Sequence, residues 1–278
     1  MRRACLWDEG RSGVHFETHP DEPRPQVDVL IVGAGFTGLW TAYYLLSADP
    51  HLQVTIIDAH HVGFGASGRN GGWCSPLLPM SLPSIARLHG RETALLARRM
   101  MEDTVDEIQR RITSHQWDCD FVRGGSLEFL RNDAQVRRGS DFVAFTAELG
   151  ISTDEIRLLS QCELESVARA THARSAVFDS HCAVLHPGKL VAHLARVVTS
   201  MGGRIHEGLP ALALEPGRVV TDQGDLRADH ILRTTEAFTT NLPGHHRDIT
   251  PIYSMMIATE PLSDDQWHDI GLQGRQTF

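Results

Sequence analysis

Gly33, Gly35 and Gly38 form the pattern G-x-G-x-x-G, and Asp58 stands twenty residues beyond the third glycine. That spacing is the signature of dinucleotide binding. Each residue type has a physical task there. Gly33 permits a tight turn, Gly35 lets backbone N–H groups reach a pyrophosphate, and Gly38 lets a helix lie close against a strand. Asp58 is placed to take ribose hydroxyls, and its charge argues against a 2′-phosphate. A second glycine group follows at once in HVGFGASGRNGGWCS, with Gly63, Gly65, Gly68, Gly71 and Gly72 around Ser67, Arg69 and Asn70. Absent β-carbons let the main chain lie flat on a large planar ligand and aim several N–H donors at it.

These residues need elements to hold them. Val27 to Val32 is a short, mostly β-branched run, Asp28 excepted, suited to a strand buried on both faces of a parallel sheet. Leu39, Trp40, Ala42, Tyr43, Leu45 and Leu46 then give the apolar face of a helix, stopped at Asp49-Pro50. QVTIID predicts a second strand ending at Asp58. Val27 to Ala48 is apolar and long enough to cross a bilayer, but a membrane helix gains nothing from the glycine grouping. The expected class is α/β, α+β overall: a Rossmann-like FAD/NAD(P)-binding domain with an inserted substrate domain of antiparallel sheet plus helices. The spacing leaves FAD and NAD both open.

Composition narrows the partners. A net charge of -9 arises without a basic run, which recommends neither nucleic acid nor an anionic lipid surface. Five scattered cysteines without a C-x-x-C pair suit reduced thiols in a cytoplasmic setting. The sixteen histidines include the pairs His60-His61 and His245-His246, yet none falls in a zinc-type array, so no metal is expected. MRRACLWDEG reaches Asp8 and Glu9 before any apolar stretch of signal-peptide length, which argues against secretion.

Residues 1–26, with Pro20, Pro23 and Pro25, read as an irregular arm. Ser84 to Gln116 has apolar residues at helical spacing, and Arg98-Arg99 and Arg110-Arg111 read as solvated faces. Gly124 to Leu130 alternates as a strand and Asp133 to Leu149 returns to helix. Pro187 opens a helix that ends at Gly202-Gly203, and GRIHEG resumes a strand. Ala211 to Thr235 reads as a β-meander, and Thr250 to Leu262 as a strand in which Tyr253 packs.

VDVLIVGAGFTGLWTAYYLL, IID and GASGRNGG together resemble the flavin-dependent oxidoreductases of the D-amino acid oxidase superfamily, in particular the γ-glutamylputrescine oxidase branch. The resemblance implies FAD, and with it a chain made of an irregular arm over 1–26, a cofactor domain over 27–82 and 180–243, and an incomplete substrate domain over 83–179 and 244–278. It implies that Gly33, Gly35, Phe36, Thr37, Gly38 and Asp58 hold its ADP half, while Ser67, Gly68, Arg69, Asn70, Gly71 and Gly72 approach the pyrophosphate and the ring system. Some relatives attach flavin through Cys or His; Cys74 reads as a structural thiol, so noncovalent FAD is expected. HILRTTEAF resembles a segment that brings an ATEG-type turn beside the cofactor, with Thr234 in place of the alanine and Ala237 in place of the glycine. Thr235 and Glu236 are for that reason not assigned as ligands.

The implied reaction is oxidation of a C–N bond in a small amine or amino acid to an imine, with oxygen as acceptor. No spacing singles out a catalytic residue. A dehydrogenase passing electrons to another carrier, or a truncated noncatalytic flavoprotein fragment, are the alternatives. The fragment reading reflects a family that continues for well over a hundred residues beyond the position of Phe278.

Overall fold

A computed structural model describes residues 5–7, 13–19 and 21–278. The chain divides into two compact units, Met1–Gly71 with His186–Ile257, and Gly72–Leu185 with Ala258–Phe278. The sequence expectation set the corresponding changes at 82/83, 179/180 and 243/244.

In chain order the first elements are β1 (Gln26–Val32), α1 (Phe36–Ala48), β2 (Val54–Asp58) and β3 (Trp73–Cys74). There follow α2 (Leu82–His89), α3 (Arg91–Ser114), β4 (Ser126–Leu130), α4 (Asp133–Glu148), β5 (Ile156–Leu159) and α5 (Gln161–Val167). Next come β6 (Ser175–Asp179), β7 (Ala183–Val184), α6 (Pro187–Ser200) and β8 (Arg204–Glu207). The last are β9 (Ala211–Glu215), β10 (Arg218–Thr221), β11 (Gly224–Arg233) and α7 (Asp264–Ile270).

The first unit is a six-stranded sheet in the order β8-β2-β1-β11-β10-β9. The pairs β8·β2, β2·β1 and β1·β11 are parallel, while β9, β10 and β11 form the antiparallel meander. Leu30, Ile31, Ile56, Ile57 and Ile205 are wholly excluded from solvent, as expected of parallel strands covered on both sides. Asp28 tolerates its place in β1 because its carboxylate accepts the Gln53 N–H at 2.7 Å. Helices α1 and α6 pack on one another, and His186 caps α6 by accepting the Lys189 N–H through Nδ1. Residues 13–19 and 21–25 contain no helix or strand, and the remainder of the expected arm, Pro20 included, lies largely outside the described residues. His19 donates its N–H to Ile205 O at 2.8 Å and so lies along the edge strand β8.

The second unit holds the antiparallel sheet β4-β6-β5 and the short pair β3-β7. Leu82, Ile85, Ala94, Leu130, Ile156 and Val177 form its larger core, which joins α2 and α3 to the sheet. Two sequence expectations are corrected here. Arg98 is not on a solvated face: it is only 6% exposed, donating to Glu102 at 2.5 Å and to Asp179 at 2.9 Å. Arg99 extends the network, bonding Glu102 at 2.6 Å and Glu155 at 2.5 Å. Of the five groups, three are on α3, Asp179 ends β6 and Glu155 immediately precedes β5, so the sequence pattern of α3 alone could not show the network.

The second correction is the strand expected over Thr250 to Leu262. That stretch forms no helix or strand, and Tyr253 is 87% exposed rather than packed. Its β-branched, aromatic and methionine residues favour extended backbone, but a strand exists only where a neighbour accepts its hydrogen bonds. Among the described residues no helix is long and apolar enough to cross a membrane.

Removing the Arg98 guanidinium leaves Asp179 without its arginine and Glu102 with Arg99 alone. Arg98→Ala is therefore expected to cost about 3–5 kcal/mol of unfolding free energy in a denaturant titration, whereas truncating the exposed Arg110 changes it by less than about 0.5 kcal/mol. The Arg99 guanidinium bound to Glu155 also lowers that carboxyl's pKa to about 2. A depressed carboxyl stabilises the fold above its ordinary value of 4.5 and loses that contribution as pH falls toward about 2. Acid titration of Glu155→Gln should accordingly show a stability deficit at neutral pH that closes below pH 4.5; a deficit independent of pH would contradict the assignment.

Candidate functional site

The C-terminal ends of β1 and β2 open onto a cavity of about 340 Å3 within the first unit. Its wall is built from the turn after β1 (Gly33, Gly35), the first turn of α1 (Thr37), the end of β2 (Asp58) and the following loop (His60, Phe64, Ser67). The far side is closed by Pro210, Thr234, Thr235, Glu236 and Phe238. Placement beyond the carboxyl ends of parallel strands is where open α/β sheets bind their ligands, and the volume lies in the range of small-molecule pockets.

The chain reaches this geometry through close backbone approach. Gly33 has φ +115°, a conformation that side chains other than glycine's rarely permit. A β-carbon on Gly38 would overlap the carbonyl oxygen of Gly33, so α1 can lie where it does against β1 only without one. The N-terminus of α1 is capped by Gly35, which supplies no side chain. Instead the Phe36 N–H donates to Ser67 Oγ at 2.8 Å. A second tie, Gly63 N–H to Ala34 O at 3.0 Å, joins the two glycine segments.

Asp58 is held at both oxygens. Oδ2 accepts the Ala34 N–H and Oδ1 accepts the His60 N–H, each at 2.8 Å. A carboxylate has about four acceptor sites, so each oxygen retains one for a hydroxyl. The loop after β2 is anchored in turn by β8: Glu207 accepts the Val62 N–H at 2.6 Å, and Leu209 donates to Asp58 O at 2.8 Å. The ring of Phe64 lies 3.9 Å from that of His60 and carries the Arg69 guanidinium at 4.2 Å.

Of the residues assigned from sequence, Gly33, Gly35, Thr37, Asp58 and Ser67 line the cavity. Phe36 and Gly38 stand behind it as helix start and packing contact. Gly68 packs against Gly63, and Arg69 lies over Phe64. Asn70 bonds back to Ala66 O and Ser67 O at 3.2 and 3.0 Å, closing the short 3-10 turn Ala66–Gly68. Gly71 is exposed and ends the first unit. Gly72 belongs to the second, where its carbonyl accepts the Leu185 N–H. Cys74, also in the second unit, has its thiol pushed up to about 11 by burial and by the neighbouring Cys182. His60, Phe64, Thr235, Glu236 and Phe238 line the cavity without having been assigned; for Thr235 and Glu236 the ATEG-like segment was the available signal.

The residues fit the ADP half of FAD. They supply a helix start with no capping side chain of its own, a β-carbon-free approach and a fixed carboxylate, the set a pyrophosphate and a ribose require. Metal binding has one geometric candidate among the described residues, Glu102, Glu155 and His181, whose ligand atoms lie within 4.8 Å of one another. Both glutamates already bond arginines there, so their charge is neutralised from within.

Residues 28–277 match the family model described as FAD dependent oxidoreductase. The chain is 28% identical to gamma-glutamylputrescine oxidoreductase of Escherichia coli over 243 residues, covering 86% of this chain and 56% of that protein. It is 31% identical to the probable oxidoreductase OrdL of Rhizobium meliloti over 246 residues, covering 85% and 56%. The chain thus spans a little over half the length of these curated relatives. Among solved structures, glycine oxidase from Geobacillus kaustophilus superposes with a TM-score of 0.64 at 20% identity, covering 80% of this chain and 59% of that one. L-proline dehydrogenase from P. horikoshii does so with 0.65 at 15% identity, covering 80% and 56%. At such identities the structures show a shared fold.

Two substitutions separate the packing role from the capping role. Gly38→Ala should destabilise the protein by about 3 kcal/mol, because the new methyl meets backbone rather than a yielding side chain. Ser67→Ala should cost only about 1 kcal/mol, the usual value of a lost helix cap. Equal losses in a thermal or denaturant titration would refute the distinction.

Proposed function

We propose, from the premise that this chain belongs to the FAD dependent oxidoreductase family, that its first unit holds FAD noncovalently and that the protein oxidises the C–N bond of a small amine or amino acid. The observation that carries the reading is the meeting of Gly33, Gly35, Ser67 and Asp58 on one cavity at the strand ends. The relatives' names point the same way, since gamma-glutamylputrescine, glycine and L-proline are all amines.

In this reading Gly33, Gly35, Phe36, Thr37 and Gly38 form the pyrophosphate seat, and Asp58 takes the ribose hydroxyls. Ser67, Gly68, Arg69, Asn70, Gly71 and Gly72 lead from the pyrophosphate toward the ring system. FAD, when bound, supplies the acceptor for the hydride that leaves the substrate carbon. The protein's contribution is to orient that carbon, to take the amine as a neutral base, and to offset developing negative charge with backbone N–H groups and Arg69. A thiol raised to about 11 remains protonated at neutral pH and is a poor nucleophile, which supports attachment without a bond to Cys74. Oxygen is the proposed terminal acceptor. The likeness to a protein named a dehydrogenase supports a second reading in which another carrier takes the electrons.

After incubation with FAD and desalting, the protein should remain yellow, and Gly35→Val should be colourless, because a β-carbon there points at Ser67 Oγ from 2.8 Å and fills the seat. Anaerobic bleaching by a panel of amines and amino acids should identify the substrate class, and peroxide release in air separates oxygen from other acceptors. A colourless wild-type protein, or a yellow one that no amine bleaches, would sink the proposal.

A further inference from the structure

The residue that follows β11 has a role which the cofactor pattern does not assign. Thr234 donates its N–H to Val32 O at 2.9 Å, continuing the parallel pairing of β1 with β11 by one residue. Its hydroxyl lies 3.0 Å from Val32 O and 2.9 Å from Gly33 O. A β-carbon on Gly33 would lie 2.9 Å from that hydroxyl, and one on Gly38 would lie 3.0 Å from it. The Thr234 Oγ1 therefore fills the space that the first and third glycines leave vacant, and it does so as a hydrogen-bond donor.

One peptide unit explains why this matters. The Gly33 carbonyl and the Ala34 N–H belong to the same planar group, so fixing one end orients the other. The carbonyl faces the Thr234 hydroxyl, and the N–H donates to Asp58 Oδ2 at 2.8 Å. Thr234 and Asp58 thus grip opposite ends of a single peptide plane at the start of the phosphate turn. The hydroxyl has one hydrogen for two carbonyls, a three-centre arrangement that tolerates small shifts of the strand end but not a rotation of the plane. In the segment that HILRTTEAF resembles, alanine stands at this position, and alanine has no such donor.

We infer that Thr234 is a positioning residue: through the Gly33–Ala34 peptide its hydroxyl sets the carboxylate of Asp58 and thereby the affinity for the ribose-pyrophosphate part of the cofactor. The inference rests on the FAD reading for its ligand, but not for its geometry.

The test uses Thr234→Val, which keeps the shape and removes the donor, Thr234→Ala, which supplies the residue of the resembling segment, and Thr234→Ser, which restores the hydroxyl. FAD dissociation constants should rise about fivefold to tenfold in the valine and alanine variants and stay within about twofold of wild type in the serine variant. Residue-resolved amide exchange on the ligand-free chain should show the Ala34 amide accelerated by a similar factor in valine and alanine, restored in serine, with the Val29 amide, which bonds Gln53 O, unchanged. A uniform acceleration of both amides would mean general loosening and overturn the proposal, as would a serine variant no better than valine. Were the wild-type chain to retain no FAD, the proposed function would fall while the Ala34 exchange still decided the role of Thr234. If valine prevents folding, the alanine and serine pair carries the same comparison.

Discussion

The distance between α1 and β1 is the constraint on which the rest of the first unit depends. The helix begins only four residues after the strand ends, so its first turn is brought against the strand it has just left. Contact at that range excludes any β-carbon at Gly38 and obliges Gly33 to adopt φ +115°. Such a turn is strained for an ordinary chain and survives only where its surroundings over-determine it. The surroundings here are a sheet in which Leu30 and Ile31 of β1 and Ile56 and Ile57 of β2 are wholly buried; each large aliphatic side chain removed from water contributes about 1.5–3 kcal/mol. Gly33 N–H bonds Ile57 O on one flank, and Thr234 bonds Val32 O on the other. The turn is held from both neighbouring strands, and the crevice at their ends follows from that grip.

Much of this was legible before any coordinates. Buried parallel strands carry no alternation, so VDVLIV and VTIID announce themselves by continuous β-branched and aliphatic residues, apart from Asp28 and the terminal Asp58. The glycines were readable because only one residue type relieves the crowding they sit in. The meander was readable because Pro216-Gly217 and Gly224 mark its turns. Each of these signals is local: the residue and its physical reason lie within a few positions of one another.

What escaped the sequence depends on partners far along the chain. Arg98 looks like one basic residue among several on α3, and only the arrival of Asp179, 81 positions away, makes it a buried ion-pair centre. Thr250 to Leu262 erred in the opposite direction: its residue types suit a strand, yet strand formation requires an edge to pair with, and residue types cannot supply one. The Thr234 hydroxyl is a third case. Its departure from alanine was visible, but its acceptors lie 202 and 201 residues earlier, so the tie it adds could not be read from the sequence.

The charge of the cavity bears on how the proposed pyrophosphate seat would work. Among the described residues no lysine or arginine lines the cavity, and Asp58 and Glu236 both do, in a chain of net charge -9. A pyrophosphate entering such a cavity meets no side-chain cation in its wall. Its stabilisation must come from the positive end of α1 and from N–H groups near enough to bond directly. Glu236 works against this least when its carboxylate is occupied elsewhere, and it is turned onto the Ala237 N–H of its own turn. Asp58 likewise spends two of its lone pairs on Ala34 and His60, which fixes its carboxylate at the end of β2. A wall without cations can hold an anion only by bringing main-chain donors to it, and main chain comes that close only where β-carbons are absent. In the proposed function, the glycines of the first segment serve the charge of the cofactor as well as the packing of the turn.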